Sequence, residues 1–140
     1  MTQTILTDWD AAKAAAFEKE NIVARHTLHQ REIFSDEGLI DLLDRYPREA
    51  MGIYTMGLDP LDSKSFRAGN APDLSGRELF QAIHEGRIWV NMRKANEHLP
   101  DYHALTREMF DALEEQTPGL KTMKQDTSIL ISSPNAQAFY

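Results

Sequence analysis

Five histidines and a Trp-x-Asn pair are the side chains of this 140-residue sequence whose types and spacing bear on chemistry. His98, Asp101 and His103 fall together at a helix start, and two imidazoles with one carboxylate are a donor set that can hold a metal ion. Nothing in their spacing fixes a geometry, so three ordinary polar side chains facing water are the default reading and no metal ligand is assigned. His26 and His29 stand three apart on a predicted strand, which sends them to opposite faces. His84 suits a helix end, where a cation is mildly favoured. The sequence has no cysteine, which removes disulfides, thiolate metal sites and a cysteine nucleophile. No phosphate loop, dinucleotide glycine pattern or Gly-x-Ser-x-Gly occurs, and the carboxylates fall mostly at helix-surface spacing. Trp89 and Asn91 share one strand face, opposite Ile88, Val90 and Met92. That pattern suits a cavity wall and suits a solvent-side strand equally well, because an indole tolerates both.

The elements that must position these groups alternate in type, which predicts an α+β or α/β mixture. Thr7 or Asp8 is placed to cap a first helix carrying Trp9, Ala12 and Ala16. Residues 21–28 are rich in β-branched side chains and predict a strand. Ser35 opens a second helix with Leu39, Ile40, Leu42 and Leu43 inside, and Pro47 ends it. Residues 50–56 predict a strand, and 57–74 a long loop. Ser75 and Glu78 have capping-box spacing ahead of a helix that Gly86 stops. Residues 87–93 alternate as a strand. Pro100 and Asp101 then begin a long helix with Tyr102, Leu105, Met109 and Leu113 inside and Glu108, Asp111, Glu114 and Glu115 toward water, closed by Pro118-Gly119. The tail from Thr127 to Tyr140 is uncharged. It predicts a strand with Ile129 and Ile131 on one face and Leu130 on the other, then a turn at Ser132-Ser133-Pro134 and the start of further sheet.

A net charge of −7 without a basic stripe argues against nucleic-acid binding. No apolar run reaches the ~18 residues of a membrane helix, and the N-terminus lacks the basic start and apolar run of a signal peptide. A cytoplasmic protein is expected.

The strand at 87–93, the helix from Tyr102 to Leu113, Pro118-Gly119 and the segment Ser128 to Tyr140 together resemble the front half of bacterial cupin-like proteins. Those proteins are related to the JmjC and asparaginyl-hydroxylase group of Fe(II)/2-oxoglutarate oxygenases. The resemblance implies an incomplete double-stranded β-helix domain, with residues 1–140 a single domain or the N-terminal portion of a larger one. In that family the segment resembling Phe139-Tyr140 runs into a His-x-Asp pair, and a later histidine completes the iron-binding facial triad. This chain stops just before the first ligand, and none of its five histidines matches a ligand position. Trp89 resembles a position where relatives place an aromatic residue against the cosubstrate, and Asn91 a nearby substrate-facing amide. Ala138 stands where some relatives bind 2-oxoglutarate through a hydroxyl, which alanine lacks.

Three readings follow. In the first, the chain is the N-terminal segment of a cupin-like protein, non-catalytic by itself, with Trp89 and Asn91 lining a cavity and Ser132 and Tyr140 at its mouth. No cofactor belongs to this chain, whereas Fe(II) and 2-oxoglutarate would belong to a longer parent. In the second, it is a small acidic protein-interaction module that meets a protein partner, or itself, through the 127–140 strand. A metal hydrolase built on His98, Asp101 and His103 is the weakest.

Overall fold

The computed structural model describes residues 4–59, 61–134 and 136. Among them lie five α-helices and one open antiparallel sheet of four strands, so the chain is of mixed α+β class. The helices are α1 (Ala11–Ala16), α2 (Asp36–Arg45), α3 (Gly76–Glu85), α4 (Ala95–His98) and α5 (Pro100–Gln116). The strands are β1 (Met51–Thr55), β2 (Arg67–Gly69), β3 (Ile88–Met92) and β4 (Ile129–Ser132), in the order β2-β1-β3-β4.

Local chemistry explains where most elements start. The Ser35 side chain accepts from Gly38 N–H and opens α2. Ser75 and Glu78 form the reciprocal capping box of α3, satisfying two backbone donors that the first turn leaves free. Pro100 sits in the first turn of α5, where its missing N–H costs nothing.

The sheet buries one face. Met51, Ile53, Val90 and Met92 meet Leu42, Leu43 and Tyr46 of α2, Leu79 and Ile83 of α3, and the buried Ala95, Leu99 and Tyr102. Ile129 and Ile131 pack against the margin of this cluster. β4 is seated by side chains outside the sheet. Asn96 accepts from Thr127 N–H at 3.0 Å and donates to the Gln125 carbonyl at 3.1 Å. Thr127 in turn shares a 2.8 Å hydroxyl contact with the buried Thr106.

Four expectations need correction. Residues 21–28 form no strand: only an isolated bridge between Leu6 and His26 survives, Val23 is 89% exposed, and Leu28 begins a short 3-10 turn. The β-branched composition there found no neighbouring surface to pack on, so propensity yielded to context. His26 and His29 consequently are not on opposite strand faces; their rings meet edge to face with centroids 5.7 Å apart. The cap of α1 is Asp10, which accepts from Lys13 N–H, while Asp8 instead accepts from Arg25 N–H at 2.7 Å. The 57–74 stretch contains the 3-10 turn Ser63–Ser65 and strand β2.

Candidate functional site

The face of the sheet turned away from the helices carries two rows of side chains, set by register. Tyr54 pairs with Trp89, and Trp89 with Ser132; Gly52 pairs with Asn91, and Asn91 with Leu130. Trp89, Asn91 and Ser132, singled out in the sequence, are thus brought onto one surface. Tyr140, the fourth, lies outside the described residues, as does Ala138.

Two further aromatic residues complete the surface. The Tyr54 ring stacks on Phe66 at 4.8 Å and lies 5.0 Å from Trp89, and Phe66 is 6.3 Å from Trp89. Glycine at position 52 makes room for this group: a Cβ there would stand 2.9 Å from the Tyr54 ring. Tyr54 was not singled out in the sequence, although alternation with Ile53 along the strand expected at 50–56 is a signal that points to it. Phe66 was not, because nothing in a loop sequence announces a ring that folds back on a strand.

The indole N–H of Trp89 is buried and has no hydrogen-bond partner among the described residues. Buried indoles usually find an acceptor, so this donor marks an incompletely satisfied place on the aromatic part of the surface. Leu130 is 53% exposed beside it, and Ser132 is exposed. The next residue, Ser133, is 2% exposed and structural: its hydroxyl accepts from Ile88 N–H and donates to the Ile83 carbonyl, tying β4 to the C-terminal end of α3.

No family model, curated protein or solved structure matches this chain.

The histidine cluster is drawn apart by other partners. The Asp101 carboxylate binds the Arg45 guanidinium at 2.7 Å, which holds it below the usual carboxylate range. His98 packs edge-on against Tyr46, and His103 is exposed. Among the described residues no three His, Asp or Glu groups are placed to hold a metal. Two of the carboxylates assigned to solvent on α5 are engaged as well: Glu108 takes a two-pronged bond from Arg31, and Glu114 accepts from Thr122 N–H.

Away from the sheet, an apolar cleft of about 230 Å³ lies between the N-terminal arm and α5. Leu6, Trp9, Leu28, Met109, Phe110 and Leu113 line it, so Met109 and Leu113 are half-buried there and not core residues. His26 also lines it, and among the described residues no carboxylate, lysine or arginine side chain does. No helix of the described residues is long and apolar enough to cross a membrane.

Proposed function

We propose that this chain is the N-terminal segment of a cupin-like protein of the JmjC and asparaginyl-hydroxylase-related group, and that it supplies a cavity wall and not the reacting centre. The row Tyr54, Trp89, Ser132 carries the reading. Half-buried aromatic rings on a sheet face opposite the helical layer suit a sheet that packs against a second one, with a ligand held between. Trp89 and Asn91 would line that space and Ser132 would stand nearer its rim.

The parent would be a cytoplasmic Fe(II)/2-oxoglutarate-dependent hydroxylase acting on a protein or small molecule, without nucleic-acid or membrane partners. The described residues do not fit the iron. His84, His98 and His103 are on helices, His26 and His29 precede α2, and none lies on the aromatic face. No step through the metal is therefore assigned to this chain.

The intact mass of the native gene product tests the reading. A mass well above 16.0 kDa supports a longer parent, and 16.0 kDa removes it. Fe(II) with 2-oxoglutarate should leave the melting temperature of the 140-residue chain unchanged; a clear shift overturns the placement of the ligands elsewhere.

One observation favours the interaction module. β4 forms an edge of the sheet with no strand beyond it among the described residues, and an unpaired edge is a template for another strand.

A further inference from the structure

Ser128-Ile129-Leu130-Ile131-Ser132 reads identically in both directions, and its last four residues are the edge strand β4. Hydrogen bonding fixes which way its backbone faces. Ser133 N–H donates to the Ile88 carbonyl at 2.9 Å, and Ala95 N–H donates to the Thr127 carbonyl at 2.9 Å. Residues 127, 129, 131 and 133 therefore turn their polar groups inward. Antiparallel alternation sends the N–H and C=O of Ser128, Leu130 and Ser132 outward. The same three residues are exposed, and no charged residue lies between Thr127 and Ser133. Edges are ordinarily blocked by lysine, proline or a bulge; Ser128–Ser132 carries none of them, and Pro134 lies two residues beyond.

We propose that β4 pairs antiparallel with β4 of a second copy of this chain, across a two-fold axis at Leu130. This rests on the edge-pairing reading above and names the partner. In that register Leu130 faces Leu130 of the second copy, Ile129 faces Ile131, and Ser128 faces Ser132. Every outward backbone group of the three residues gains a partner, and every side chain faces its own kind. Moving the axis to Ile131 sets Leu130 against Ser132, Ile129 against Ser133 and Ser128 against Pro134, which has no N–H to donate. The palindrome thus selects the Leu130 axis, as the self-complementarity of a two-fold interface requires. A strand pair this short is small beside the ~1,200–2,000 Å² of standard interfaces, so the dimer is weak and concentration-dependent. Net charge of −7 on each copy opposes it, so added salt strengthens it.

Sedimentation of the 140-residue chain over a wide concentration range should show a reversible dimer that tightens with salt. Leu130→Lys sets like charges directly opposite across the axis. It should weaken association about tenfold or more while circular dichroism stays unchanged. Leu130→Cys, in a chain without other cysteines, should oxidise readily to a covalent dimer, and Met123→Cys, 82% exposed elsewhere, should not. A dimer indifferent to Leu130→Lys overturns the proposal. So does a monomer at every concentration. In that case, uptake of a Thr127–Ser133 peptide keeps edge pairing with another partner, and no uptake removes edge pairing altogether.

Discussion

Trp89 stands directly opposite Ser132 across the β3–β4 ladder, with the Tyr54 ring 5.0 Å away on its other side. The same register that puts this row on the outer face puts Ile53, Val90 and Ile131 on the inner one. One alternation therefore builds both the core and the candidate wall, and a slip of one residue would exchange them.

Trp89→Phe should leave stability unchanged or raise it slightly. The substitution keeps a ring against Tyr54 and removes a buried N–H without a partner among the described residues, a defect worth about 1–3 kcal/mol at most. Trp89→Ala should instead lower stability by roughly 1–3 kcal/mol, since a half-buried ring is lost. Urea titrations of the three proteins decide it, and a Phe variant as damaged as the Ala variant would mean that the indole N–H is in fact bonded.

Gly76→Ala should destabilise by about 1–3 kcal/mol or more. A Cβ at this position would stand 2.4 Å from the Ile40 carbonyl oxygen and 2.7 Å from the Asp44 backbone nitrogen. Both are backbone atoms of α2 and cannot rotate away, so α2 and α3 must separate. A midpoint within experimental error of wild type would show that the two helices do not cross this closely.

Ser133→Ala should cost about 1–3 kcal/mol and loosen the end of β4 selectively. The hydroxyl serves Ile88 N–H and the Ile83 carbonyl from a site that is 2% exposed, so alanine strands both groups away from water. Hydrogen exchange should speed up at Ile88 and along β4 before it does in α2. Uniform acceleration throughout the chain would contradict a local clamp.

The elements most legible in the sequence were those with a local device. Ser35, the Ser75–Glu78 box and Pro100 each solve a helix-start problem within four residues, and β3 alternates cleanly, so these elements lie where the pattern puts them. β2 was not legible because Arg67-Ala-Gly69 has no apolar rhythm; it is a strand only through its ladder with β1. Residues 21–28 misled for the converse reason, having strand composition without a neighbour. Trp89 and Asn91 could be grouped from strand period alone, whereas Ser132, expected in a turn, ends β4 and joins them only through the β3–β4 register, and Phe66 reaches Tyr54 through the fold of a loop. The histidine cluster failed because proximity in sequence says nothing of Arg45, which reaches Asp101 from α2.

Arg31 and Glu108 predict an acid-labile contribution to stability. The guanidinium donates both prongs to the carboxylate across 77 positions of sequence and pulls its pKa below the ordinary glutamate value. A folded-state pKa below the unfolded one, about 4.3, adds stability that is complete above that value and is lost as pH falls through the folded pKa. Both side chains keep about a third or less of their surface in water, so solvent screening limits the pair to roughly 0.5–1 kcal/mol near neutral pH. Glu108→Gln should therefore lower stability by that amount at pH 7 and converge on wild type in strong acid. Denaturant titrations at both pH values check the sign. A variant whose deficit persists undiminished in acid would assign the loss to packing of the Glu108 side chain and not to its charge.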